Sequence, residues 1–130
     1  MTPELSLVIP IHNESPNIRP LYDELMQVLG ASGRRFEVIA IDDGSTDDSF
    51  AQLAALQAGD ARLRVIRFRK NFGQTAAFAA GFANARGDLI LYSDADLPFD
   101  MLELPRAVRL LREYEVDMVS AYRFDRTGEG

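Results

Sequence analysis

Cysteine and tryptophan are both missing from this sequence, and histidine occurs once. No apolar run comes near the ~18 residues that a membrane-spanning helix needs. Without cysteine there are no disulfides and no thiolate metal sites, and a reducing compartment is allowed. The N-terminus turns strand-like too early to be a signal peptide, so a cytoplasmic place is expected. Basic side chains are scarce in the first half: residues 1–60 hold three against ten acidic ones, while residues 61–130 hold eleven against ten. The net charge is −6, and the acidic first half argues against nucleic acid as a partner, since that partner requires a basic footprint. It also means that a phosphate-bearing ligand would need a divalent cation to offset the acidic surroundings.

What is present suits one domain. The chain has 130 residues, 47% of them hydrophobic, enough for a sizeable core. Short apolar, β-branched runs at Leu5–Pro10, Phe36–Ile41, Leu63–Phe68, Leu89–Tyr92 and Met118–Tyr122 read as strands. Between them lie helical patterns. Ser15 and Pro16 form a start signal for a helix carrying Ile18, Leu21, Tyr22, Leu25 and Leu29, which Gly30 or Gly33 should stop. Asp47 or Asp48 can cap a helix with Phe50, Leu53, Ala54 and Leu56 that ends near Gly59. Gln74–Ala85 is a helix of small residues, able to lie close on a sheet. After Pro98, a turn over Asp100–Glu103 should give way to a helix with Pro105 in its first turn and an apolar face of Leu104, Val108 and Leu111. Such alternation predicts a three-layer α/β/α fold with a mainly parallel sheet. The expected strand order is 3-2-1-4, with the first strand central.

In sheets of this kind ligands bind beyond the carboxyl ends of the strands, and the chemistry-bearing residues all follow strands. Asp94 and Asp96 stand one residue apart after Leu89–Tyr92, and Pro98 bars further ladder pairing. Side chains at i and i+2 of an extended backbone point the same way, so these carboxylates can converge. Two hard oxygen donors suit Mg²⁺ or Mn²⁺ that also takes phosphate oxygens. The same residues would serve equally as turn formers and helix N-caps. Asp42 and Asp43 occupy the place where an acidic residue meets a ribose hydroxyl. Asp43-Gly44 would also fit a plain turn, but Asp42 adds a charge that a turn does not need.

A dehydrogenase reading fails because no Gly-x-Gly-x-x-Gly follows strand one; Pro10 to Glu14 stands there instead. His12 could be a base or a loop residue, and the loop role is preferred. Arg69, Lys70 and Asn71 could cradle phosphate or stay solvated, while Gly73 marks a tight bend. Arg123 and Arg126 flank Asp125 in a polar tail, where guanidinium forks suit phosphate oxygens or simply face water.

Taken together, Val8-Ile-Pro-Ile-His-Asn-Glu14, Asp42-Asp-Gly-Ser-Thr-Asp47, Arg69-Lys-Asn-Phe-Gly73 and Ser93-Asp-Ala-Asp-Leu97 resemble the ordered motifs of family 2 glycosyltransferases. The resemblance is strongest to the polyprenyl-phosphate (dolichol-phosphate mannose synthase-like) branch and covers nearly the whole chain. It implies a GT-A nucleotide-diphospho-sugar fold and a UDP- or GDP-sugar donor. Pro10, Asn13, Glu14, Asp42, Asp43, Gly44, Asn71 and Gly73 would belong to the donor site, with Asp42 at the base and Asp94 by the ribose and diphosphate. Asp96, with Asp94, would bind the Mg²⁺ or Mn²⁺ ion. Asp94, Asp96, Arg123 and Arg126 would be catalytic, the arginines facing the acceptor phosphate. Pro98 stands where many relatives carry Gln, so no contact from that side chain is carried over.

The implied reaction is an inverting transfer to an acceptor, a polyprenyl (dolichyl or undecaprenyl) phosphate by this resemblance, at the inner face of the membrane. A sugar hydroxyl as nucleophile would need a general base. A lipid phosphate, with its second pKa near ~6, is already an anion; no convincing base appears in the chain, which fits a phosphate acceptor and equally a base beyond residue 130. Three alternatives are kept: a non-catalytic nucleotide-sugar-binding module, a family 2 transferase to a saccharide hydroxyl, and, last, a phospho-acceptor regulatory domain. The last requires an aspartate after strand three, where Phe68-Arg-Lys70 stands. Family members are longer, and a later antiparallel strand is expected between strands four and five. Residues 1–130 are therefore read as the nucleotide-sugar-binding part of a domain incomplete at its C-terminus. Strand four should then show an open edge, with Leu89 and Leu91 only partly covered.

Overall fold

The computed structural model describes residues 2–92 and the strand Met118–Ser120. Its elements are β1 (Leu5–Ile11), a 3₁₀ turn (Ser15–Asn17), α1 (Ile18–Ala31), β2 (Phe36–Asp42), α2 (Ser49–Gly59), β3 (Leu63–Arg67), α3 (Gln74–Asn84), β4 (Leu89–Tyr92) and β5 (Met118–Ser120). The sheet order is β3-β2-β1-β4-β5, and every neighbouring pair is parallel. The expected 3-2-1-4 order is therefore observed. The helix expected around Leu104, Val108 and Leu111 lies outside the described residues.

Period-2 alternation sorts the side chains of the central strands into two cores. Leu5, Leu7, Ile9 and Ile11 of β1, with Phe36, Val38 and Ala40 of β2, meet Ile18, Leu21, Leu25 and Leu29 of α1 and Leu53 of α2. Val8, Ile39 and Ile41 face the other way and meet Ala77 of α3. Helices thus cover both faces, and β1 and β2 are buried almost throughout, as parallel strands require. Right-handed crossovers account for the split. The chain steps outward twice from β1 to β3 with α1 and α2 on one face. It then returns past β1 to β4, which places α3 on the other. The reversal makes the crevice beyond β1 and β4 the topological switch point.

Gly81 shows how closely α3 approaches. A Cβ there would lie 2.2 Å from Val8 Cγ1 and 3.0 Å from Ile41 Cδ1.

Several boundaries differ from the expectation. Pro10 does not end β1, which runs on to Ile11. The Ile11 carbonyl accepts the Asp43 amide, so by alternation the missing Pro10 N–H faces the β4 side, where the described pairing has already stopped at Val8–Tyr92. Ser15 opens a 3₁₀ turn rather than capping α1, and Asn17 precedes α1 without a side-chain cap. The open edge expected on β4 is also corrected. Ile90, Leu91 and Tyr92 pair directly with Met118, Val119 and Ser120, and Leu91 is fully buried, while Leu89 is half-buried as expected. Among the described residues no antiparallel strand intervenes, and β5 supplies the partners that β4 backbone groups demand.

Candidate donor-binding site

Three of the four loops at the carboxyl ends of the strands are described, and they interlock. After β1, Asn13 adopts φ 51°, a left-handed conformation that asparagine tolerates better than most residues. Its side-chain Oδ1 accepts hydrogen bonds from the Thr46 amide (2.8 Å) and the Asp47 amide (3.3 Å). In return the Ser45 hydroxyl accepts from the Asn13 amide at 2.9 Å, and the Ser49 hydroxyl from the Glu14 amide at 3.0 Å. Ser15 donates its amide to Asp47 Oδ2 and its hydroxyl to Asp48. Hydrogen bonds from Ser49 hold the Asp47 carboxyl below its ordinary range, and the Ser15 hydroxyl does the same for Asp48.

The third loop is fixed to the second by Asp43. This carboxylate is 4% exposed and accepts from the Phe72 amide at 2.7 Å, the Gly73 amide at 3.0 Å and Asn71 Nδ2 at 3.1 Å. Its main-chain carbonyl accepts from Asn71 Nδ2 at 3.2 Å and lies 2.8 Å from His12 Nδ1. A carbonyl can only accept, so this contact is a hydrogen bond when Nδ1 carries the proton, and His12 then braces the loop. Gly44 makes the closeness possible. With φ 69°, a Cβ there would lie 2.3 Å from both Asn71 N and Lys70 C, so only glycine fits in both conformation and space.

Asp42 ends β2, opposite Ile11 of β1 and Arg67 of β3. It is fully buried. Its Oδ1 accepts from the Ser45 amide at 3.2 Å, whereas Oδ2 has no hydrogen-bond partner among the described residues. A buried polar atom left so costs about 1–3 kcal/mol, and the cost is recovered when a donor arrives. Gly44 and Ser45, which follow in the chain, line a cleft of about 260 Å³ together with Arg67, Phe68 and Arg69. The Arg67 guanidinium lies over the Phe50 ring, 4.1 Å from its centroid.

The structure thus brings Pro10, Asn13, Glu14, Asp42, Asp43, Gly44, Asn71 and Gly73 to one rim. Pro10 and Glu14 are half-buried there. Asp94, Asp96, Arg123 and Arg126 lie outside the described residues, and among those described no cluster of three metal-ligating side chains occurs. Ser45, Ser49 and Arg67 belong to this neighbourhood but were not singled out from the sequence. The hydroxyl-rich run Ser45-Thr-Asp-Asp-Ser49 was the available signal for the two serines.

A mainly parallel sheet with helices on both faces, and loops interlocked beyond the carboxyl ends of β1, β2 and β3, is the architecture of the GT-A fold, as the solved structures below bear out. The family described as Glycosyl transferase family 2 matches residues 6–130, and the chain belongs to it. Among curated relatives, the dodecaprenyl-phosphate galacturonate synthase of Rhizobium johnstonii is 38% identical over 124 residues, covering 95% of this chain and 37% of that protein. An undecaprenyl-phosphate 4-deoxy-4-formamido-L-arabinose transferase of Pseudomonas aeruginosa is 40% identical over 125 residues, covering 94% of this chain and 36% of its own length. The chain therefore spans little more than a third of these relatives. Among solved structures, the mannosyltransferase PcManGT from Pyrobaculum calidifontis, in complex with GDP-Man and Mn²⁺, superposes with a TM-score of 0.73 at 22% identity, covering 85% of this chain and 33% of that one. S. aureus TarS in complex with UDP-GlcNAc gives 0.68 at 23% identity, covering 86% and 32%. At these identities the likeness establishes the fold.

Proposed function

We propose that residues 1–130 form the nucleotide-sugar-binding part of an inverting glycosyltransferase that moves a sugar from a UDP- or GDP-sugar to a polyprenyl phosphate. The observation that carries this reading is the buried, unpaired Oδ2 of Asp42 beside three interlocked loops. Uracil and guanine both carry a ring N–H next to a carbonyl, and such a donor would satisfy Asp42. The names of both relatives, each built on a polyprenyl phosphate, support the lipid acceptor. The ligands of the two structural neighbours support the donor class.

Asp94 and Asp96 are the residues that would hold a Mg²⁺ or Mn²⁺ ion. They fit it by chemistry, being paired hard carboxylates, and they follow Tyr92, the last residue of β4, by two and four positions in the sequence. Such an ion, when bound, stabilises the charge left on the departing diphosphate. The protein's own part is orientation. Asn13, Ser45 and Asp43 fix the loops, Asp42 holds the base, and Pro10 and Glu14 line the pocket. Arg123 and Arg126 would steer the acceptor phosphate, whose oxygen attacks the anomeric carbon opposite the leaving diphosphate. A phosphate anion needs no general base, in keeping with the structural role of His12. No described helix is long and apolar enough to cross a membrane, and contact with the inner membrane face through the acceptor is part of the proposal.

The test is transfer of labelled sugar from UDP- and GDP-sugars to undecaprenyl phosphate by a chain of the relatives' length. Glycolipid formation is expected. Donor binding without glycolipid would instead identify a binding module, and transfer to a saccharide hydroxyl alone would overturn the lipid acceptor.

A further inference from the structure

Asp42 and Asp43 are neighbours in sequence but face different tasks. Asp43 stands one residue past the end of β2, its amide donated to the Ile11 carbonyl. The two carboxylates take different partners. Asp42 keeps an acceptor free at the end of β2. Asp43 turns its carboxylate to the third loop and takes three N–H donors there, from Asn71, Phe72 and Gly73.

Resting on the donor-site reading above, we propose that Asp43 is the positioning residue of the site, acting through the 71–73 loop rather than by touching the donor. Three observations point this way. The three donors come from consecutive residues, so one carboxylate sets the path of the whole loop. Gly73 has φ 99°, a conformation that its contact with Asp43 helps to hold. The same loop presses against Gly44, where even a methyl group would not fit, so any slackening of the loop opens the wall beside Asp42. Charge-assisted bonds donated to a buried carboxylate are about twice as strong as neutral ones, which is what pinning a surface loop requires. A neutral amide of the same shape cannot substitute. Both Asp43 oxygens face N–H donors, and an Asn side chain would turn its own NH₂ against one of them.

The experiment compares wild type with Asp43→Asn, Asp43→Glu and Asn71→Ala. It measures dissociation constant and stoichiometry for UDP- and GDP-sugars with Mn²⁺ by calorimetry, together with amide hydrogen exchange. Asp43→Asn is expected to weaken donor binding about tenfold or more with unchanged stoichiometry, the loss of one to two charge-assisted bonds. Exchange should quicken at Phe72 and Gly73 while Ile39 and Ile41 of β2 stay protected. Asp43→Glu, which keeps an acceptor-only carboxylate, should recover part of the affinity. Asn71→Ala removes one donor without disturbing the two backbone bonds, so it should weaken binding less. It also decides the matter if Asp43→Asn does not fold. A merely structural role predicts lower stoichiometry at unchanged affinity and faster exchange throughout the sheet, and either result would overturn the proposal. Equal donor affinity in wild type, Asp43→Asn and Asn71→Ala would overturn the role of Asp43 alone. No binding of either donor by wild type would sink the donor reading and this inference with it.

Discussion

Replacing Gly44 by alanine tests the packing of the rim with the smallest possible change. The new methyl would lie 2.3 Å from Asn71 N and Lys70 C and 2.8 Å from Lys70 Cα. All three are backbone atoms, so no side chain can swing aside. Ordinary contact needs about 3.4 Å or more, and the loop would have to retreat by roughly 1 Å. Alanine at φ 69° adds about 1–2 kcal/mol of conformational strain. A retreat of that size stretches the bonds from Asn71, Phe72 and Gly73 to Asp43 beyond useful length. Bonds to a charged group contribute about 1.5–3 kcal/mol each, but water can replace part of them at this exposed loop. A total loss of about 3–4 kcal/mol is expected. Urea unfolding followed by circular dichroism would read it, as a midpoint lowered by more than about 1 M for an m-value of 1–3 kcal/mol/M. Donor affinity should fall in parallel. A Gly44→Ala protein within about 0.5 kcal/mol of wild type, with unchanged donor binding, would refute the packing argument.

At the opposite end of the sheet, Glu37 is buried and accepts from Ser6 Oγ (2.6 Å), the Arg86 amide (2.7 Å) and Arg64 Nη1 (2.7 Å). Burial alone would push its carboxyl up, but the Ser6, Arg86 and Arg64 partners outweigh it and hold the carboxyl below its ordinary value. Its stabilisation is thus complete above ~4.3 and fades as pH falls through the depressed folded-state value. Glu37→Gln should cost about 2 kcal/mol at pH 7, below the usual buried-pair loss because Arg64 and Arg86 are partly solvated. The difference from wild type should shrink below about pH 4 in acid-unfolding curves. On the α3 face, Gly81→Ala should destabilise by about 1–3 kcal/mol through its overlap with Val8. Val8→Ala in the same chain should restore part of that loss in thermal melts. Finally, His12 is the only imidazole in the chain, and ¹⁵N NMR of its neutral form should show the proton on Nδ1.

Most of the fold was legible because it rests on periodicity. Alternation in β1 and β2, the i, i+3, i+7 spacing of Ile18, Leu21 and Leu25, and the small residues of α3 all report burial directly. Pro10 misled because the consequence of a missing N–H depends on which neighbour that edge faces, and sheet order decides this. The pairing of β4 with β5 was hidden for the same reason, being a long-range choice of partner. At the site, residue types named the rim but not the division of labour on it. Nothing in Asp42-Asp43 distinguishes the carboxylate that waits for a ligand from the one that grips Phe72 and Gly73. Glu37 was passed over as one charge in an apolar strand, since its partners Ser6, Arg64 and Arg86 are scattered through the sequence.

The claim that Asp42 receives the donor's base is tested most directly by Asp42→Asn, titrated calorimetrically with UDP- and GDP-sugars in Mn²⁺ and unfolded in urea without ligand. The amide oxygen can keep the Ser45 amide, which leaves an NH₂ where the unpaired Oδ2 now lies. That group would oppose the N–H of the base and remove a buried, unpaired carboxylate oxygen. The account predicts donor binding weakened about 10- to 100-fold together with ligand-free stability equal to wild type or higher. Unchanged donor affinity in the variant would contradict it.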